Sequence, residues 1–238
     1  PADMNRIRSP LASVAVLALL AVLVTGCATP EERRAEHKEK AWTFYEDENY
    51  EKARVEFLNA LKIEASDSEA RYGAGLAFRR IAETEVDLPL ADRQDMLRTA
   101  AGHLLAAVEQ DPSHLESRVE FADLRLRVFG DASGALELAE EAVRLDPRSP
   151  DALAARAAAL QISGERERAR QDAERALAID PSHPQAVAVR AAQLNGGGDP
   201  EAAIELLRGA VERDDETGEL RLLLANLLLA RGRSDDAI

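Results

Sequence analysis

Small and apolar residues return along this chain in steps of four and then three, with charged positions between them. Ala135, Ala139 and Ala142 set the pattern, Ala169, Ala173 and Ala176 repeat it, and Ala203, Leu207 and Ala210 follow. Residues so spaced lie on one stripe of a helix, and alanines on that stripe let two helix backbones approach closely. A glycine stands five residues before each run. Gly130, Gly164, Gly198 and Gly232 are 34 residues apart, and Ala237 stands five residues after the last of them. Glycine accepts the positive φ with which helices commonly end. Asp111-Pro112, Asp146-Pro147 and Asp180-Pro181 close further helices, because proline cannot continue them. The predicted unit is helix, short turn, helix, stop. No alternation of apolar and polar residues bounded by turn pairs predicts a strand.

On these residues and this period the chain resembles the tetratricopeptide repeat (TPR) family. The first unit carries Tyr50, Ala53, Phe57 and Ala60 in the family register. The first half of the motif is looser: Ala41 and Phe44, Gly75 and Phe78, Ala157 and Leu160, and Ala191 and Leu194 fill its third and fourth positions, and no unit opens with Trp-x2-Leu-Gly. The resemblance implies an all-α fold, a right-handed TPR α-solenoid of antiparallel helix pairs with about five and a half repeats. Their expected ranges are 34–66, 67–114, 115–148, 149–183, 184–217 and a partial unit at 218–238. The step from Ala53 to Ala100 is 47 residues, so an insertion is expected near 83–96, as a protruding loop with a lengthened second helix. Gly196-Gly197-Gly198 is expected to make a looser turn than its counterparts. The apolar face from Leu220 to Leu229 would be a poor outer face for a solenoid end, so the native chain is expected to continue.

Composition sharpens this picture. Hydrophobic residues are 46% of the chain but aromatics only 4%, so the core must be built from Ala, Leu, Val and Ile. Net charge is −14, and the local cluster Glu31-Glu32-Arg33-Arg34 with Lys38 and Lys40 is charge-mixed. A phosphate-binding surface would need a basic stripe, so no nucleic-acid partner is expected. The charges read as solvated helix faces with i,i+4 pairs.

The N-terminus reads differently. Residues 1–3 look like a fragment edge. From Met4, Arg6 and Arg8 precede an apolar run of 14 residues, Leu11 to Val24. Spanning a bilayer takes about 20, so 1–26 reads as a signal peptide from Met4. Val24-Thr25-Gly26-Cys27 resembles a bacterial lipobox, which implies cleavage before Cys27 and acylation of its thiol, with 27–33 as a lipidated tether. Each buried methylene of such chains contributes about 0.8 kcal/mol, so several chains anchor stably. Cys27 is the only cysteine. By analogy with lipoproteins in which Asp at the following position retains the chain at the inner membrane, Ala28 implies the outer membrane, periplasmic face.

No catalytic constellation is found. His37, His103, His114 and His183 stand far apart without metal-ligand spacing and read as surface or capping residues, so no metal and no cofactor is expected. No Gly-x4-Gly-Lys-Ser/Thr loop or Gly-x-Ser-x-Gly elbow occurs. Asp214-Asp215 and Asp235-Asp236 read as helix ends and starts. The resemblance places the first helix of each unit on a concave groove. Its inward register gives Trp42 and Tyr45, then Tyr72, Leu76 and Arg79, then Ala154 and Ala158, Ala188 and Ala192, and Leu222 and Asn226. All nine aromatics lie between Trp42 and Phe129. Aromatic anchors beside an arginine are the makings of binding hot spots, so Trp42, Tyr45, Tyr72, Leu76 and Arg79 form the candidate protein-binding groove. The Lys/Asn clamp of co-chaperone TPR domains is not seen.

The expected function is a non-catalytic scaffold holding envelope proteins or peptides in its groove. The segment from Asn49 to Glu64, after such a signal, is similar to the large TPR lipoproteins of PEP-CTERM and exopolysaccharide systems. The alternatives are a type IV pilus pilotin-like adaptor, or the recruitment arm of an envelope enzyme with its catalytic domain beyond Ile238.

Overall fold

In the computed structural model, residues 28–213, 218–233 and 236 are described. Among them are eleven helices and no strand: α1 (Pro30–Glu46), α2 (Tyr50–Ile63), α3 (Ser68–Thr84), α4 (Leu90–Gln110), α5 (Leu115–Arg127), α6 (Ala132–Leu145), α7 (Pro150–Ile162), α8 (Arg166–Ile179), α9 (Pro184–Gly196), α10 (Pro200–Arg213) and α11 (Glu219–Ala230). Cys27 and the signal segment lie outside the described residues, as do Asp214, Asp215, Asp235 and Ala237.

Local chemistry starts and stops each helix. Thr29 and Glu32 form a reciprocal capping box, with Pro30 at the first helical position. Residues 30–33, expected as tether, are therefore the first turn of α1. Asn49, Asp67, Asp131, Ser149 and Asp199 each accept a backbone N–H three residues on. His114 and His183 do the same through Nδ1. Four of the turns inside the pairs share one closure: Asn49, Glu165, Asp199 and Arg233 each donate N–H to the carbonyl five residues back, at 2.8 to 3.0 Å, whereas in the α5–α6 turn Asp131 donates to Arg125, six residues back. Gly164, Gly198 and Gly232 supply the positive φ before it (84°, 90° and 72°), and Glu48 takes the same place at 58°. The Gly196-Gly197-Gly198 turn is thus no looser than the others, because one glycine in the left-handed region completes the same hydrogen-bonded turn.

Each helix packs on its sequence neighbours, and first helices also touch first helices: α1 with α3, α5 with α7, α7 with α9, α9 with α11. The alanine stripes make this possible: Ala135, Ala139, Ala142, Ala169, Ala173, Ala176, Ala203 and Ala210 have no exposed surface. The core runs on as linked clusters, with Val119, Leu136 and Leu177 each packed against two of them. At the first unit Phe57 is fully buried against α3, where a methyl on Gly73 would lie 2.2 Å from its Cζ. The insertion is mostly helix. α4 is 21 residues long, and the short loop before it is held by Arg93, whose guanidinium donates to the carbonyls of Ala82 and Glu85.

Contact between α3 and α5 is sparser than at the other first-helix steps, and Arg79 spans that step instead.

Candidate functional site: a groove between first helices

The first helices leave a cleft of about 440 Å³ lined by Tyr45 of α1, Leu76, Arg79 and Arg80 of α3, Val119, Glu120, Asp123 and Arg127 of α5, Asp151 of α7, His183, Pro184 and Gln185 at the start of α9, and Glu219 of α11. A smaller cleft of about 200 Å³ adjoins it through Val119, Glu120 and Asp151, and adds Tyr72, Leu115 and Glu116. Of the residues expected in the groove, Tyr45, Leu76 and Arg79 meet in the larger cleft and Tyr72 stands in the smaller. Trp42 lines neither; it packs 4.9 Å from the Phe57 ring and donates its indole N–H to Glu69 at 3.0 Å. Leu76 shows only 9% of its surface, so it forms wall rather than protrusion.

Arg79 is the centre of a polar network. It donates to Glu83 (2.7 Å), Glu120 (2.9 Å) and Asp123 (2.6 Å). Burial opposes its charge, but these carboxylates outweigh it and hold the guanidinium pKa above its ordinary value. Asp123 also accepts from Gln185 of α9 at 3.0 Å and pairs with Arg127 at 2.8 Å. Arg127 reaches on to Glu219 of α11 at 3.2 Å. Burial raises the pKa of Glu120, with Arg79 opposing and Asp123 adding to the rise. It also raises that of the Tyr72 phenol, with Glu120, Glu116 and Asp151 adding to the shift. His183 bonds Asp151 at 3.1 Å and lowers its carboxyl pKa.

The groove register on α5 supplies Val119 and Asp123, which sequence reasoning passed over although the periodicity points to them. In the later units Asp151, Gln185 and Glu219, each near a helix start, face the cleft. Ala154, expected in the groove, is fully buried against its neighbours instead, because α7 packs on both α5 and α9. His103 is neither surface nor cap: it is 9% exposed, stacked on Phe78 with ring centroids 5.5 Å apart, and burial together with Arg71 lowers its pKa to about 4. Among the described residues no group of three or more His, Cys, Asp or Glu is arranged to hold a metal ion, and no helix is long and apolar enough to cross a membrane.

Residues 194–238 match the family described as tetratricopeptide repeat. A solved thermophilic TPR protein from Thermus thermophilus superposes with a TM-score of 0.65 at 21% identity, covering 82% of this chain and 99% of its own. The fold is a TPR solenoid. The pilF product of Pseudomonas aeruginosa superposes on this solenoid with a TM-score of 0.63 at 16% identity, over 87% of this chain and 88% of its own. YrrB, described as a TPR protein with an unusual peptide-binding site, does so with a TM-score of 0.52 at 17% identity, over 77% and 88%. No curated protein sequence matches the chain.

Proposed function

We propose that this TPR solenoid is a non-catalytic scaffold that holds a segment of a partner protein in its groove. We further propose that a lipid on Cys27 ties it to the periplasmic face of the bacterial outer membrane, where it supports envelope assembly or exopolysaccharide export. The observation that carries the reading is the cleft itself, where apolar walls from Tyr45, Leu76, Val119 and Pro184 converge with a few fixed polar groups. A peptide-binding site described for YrrB, whose fold this chain shares, supports the same use of the fold.

The test of the groove is a plug. Gln185 lines the cleft, and Gln185→Trp fills part of it from the rigid start of α9. A partner recovered with the wild-type chain from native membranes is expected to be lost with Gln185→Trp and kept with Leu229→Ser, on a side chain 55% exposed on α11 and outside the cleft. Retention by the folded Gln185→Trp variant would move the binding surface elsewhere. The anchor is tested separately. Intact mass from native membranes should show acyl chains on Cys27, and Cys27→Ser should release the protein to the soluble fraction.

A second reading has its own support. The pilF product and PilW, the latter described as a widely conserved type IV pilus biogenesis factor, both share this fold, PilW with a TM-score of 0.61 at 16% identity. A pilotin-like adaptor predicts loss of pilus secretin assembly when the chain is deleted, with polysaccharide export intact. The export reading predicts the reverse.

A further inference from the structure

The groove is already lined by guanidinium groups of the chain itself, each held by carboxylates. Arg127 of α5 is held between Asp123 on its own helix at 2.8 Å and Glu219 of α11 at 3.2 Å. Arg79 is held in the same manner, by Glu83 on its own helix and by Glu120 and Asp123 of α5. A cationic fork between carboxylates from separate helices is what charge-assisted hydrogen bonds favour, so the cleft displays the chemistry it recognises. The two arginines differ in how firmly they are seated. Arg79 keeps 16% of its side-chain surface exposed, whereas Arg127 keeps 44% and its partner Glu219 38%. Ion pairs that exposed are weak and exchange readily.

The charge count points the same way. The larger cleft has four carboxylates, Glu120, Asp123, Asp151 and Glu219, against the guanidiniums of Arg79, Arg80 and Arg127. The smaller one adds Glu116 and no cation. Size selects further. One helical turn, 5.4 Å high and 10–12 Å across, fills roughly 400–600 Å³, so a cleft of about 440 Å³ holds a single turn. It suits an extended segment that inserts side chains better than a helix laid along it.

We propose that the groove takes an extended, cationic segment of its partner, whose arginine or lysine replaces Arg127 between Asp123 and Glu219. Arg127 is then an internal competitor that ties α5 to α11 until it is exchanged. The proposal rests on the groove-binding reading and adds to it the chemistry of the partner.

The experiment uses the full chain and three capped probes: hexa-arginine, hexa-glutamate and a neutral Gly-Ser hexapeptide, with binding followed by calorimetry. Hexa-arginine is expected to bind and the other two to show no heat. Arg127→Ala removes the competitor and should tighten hexa-arginine binding about three- to fivefold. Glu219→Gln should weaken it by a similar factor. Arg98→Ala makes the same change in net charge outside the groove, at a side chain 63% exposed on α4, and should alter binding less than twofold. Equal responses to Arg127→Ala and Arg98→Ala would overturn the proposal, since a polycation attracted only by the net charge of −14 would give that result. Should Gln185→Trp still abolish partner capture in that case, the groove reading stands and only its cationic specificity falls. Circular dichroism confirms that each variant is helical before binding is compared.

Discussion

Glu48 takes the turn position that Gly164, Gly198 and Gly232 occupy in other units, with a φ of 58°. A side chain in the left-handed region costs about 1–2 kcal/mol, and glycine returns part of that through its freer unfolded chain. Glu48→Gly should therefore raise stability by about 0.5–1 kcal/mol, read as a higher urea midpoint. His103 gives a pH prediction. Its folded pKa is about 4, against about 6.5 for a free imidazole. The unfolded chain thus binds the proton first, and stability falls as pH drops from about 6.5 towards 4. His103→Leu should flatten the urea midpoint over that window. An unchanged slope between pH 7 and pH 4.5 would mean that other groups dominate it. Neither environment is legible in the sequence: Glu48 is one acid among 44 acidic side chains, and nothing in the helical stretch around His103 marks it as buried rather than surface or capping.

At the scale of the helix, the alanine stripes are the constraint. Ala173 is fully buried in α8, within a cluster that includes Ala157, Leu160 and Val189. Ala173→Leu forces extra carbons into a contact with no room, and should cost about 1–3 kcal/mol and lower the thermal midpoint. These stripes were legible because spacing alone puts them on one face, and a small residue there has one reading. The start of α1 was not. Pro30 after Thr29 looked like tether, and only the reciprocal bonds between Thr29 and Glu32 make it a helix start. Thr29→Ala should cost about 1 kcal/mol locally, seen as faster amide exchange in the first turn of α1.

At the scale of the whole molecule, a solenoid is stabilised unit against neighbouring unit. Phe57 joins α1, α2 and α3 through one buried ring, touching Trp42 and the Gly73 backbone. Phe57→Ala should remove about 3–5 kcal/mol from that end. Hydrogen exchange should show lost protection across α1 to α3 and unchanged protection in α9 and α10. A uniform loss along the chain would mean that the array opens as a single cooperative body. The groove also belongs to this scale, because Asp123, Gln185 and Glu219 come from units far apart in sequence.

The sequence by itself determined the repeat: a 34-residue period, small residues in steps of four and three, and glycines at the turns. Each follows from backbone geometry within one helix pair, so local spacing is enough to reveal it. The tertiary structure decided how the groove is furnished. Which of Trp42, Tyr72 and Leu76 packs inward and which lines a cleft depends on how successive first helices tilt against one another. That Arg127 reaches Glu219 depends on the curvature summed over several such steps. A period repeats the step, but its angle is set by packing between side chains that the period does not specify.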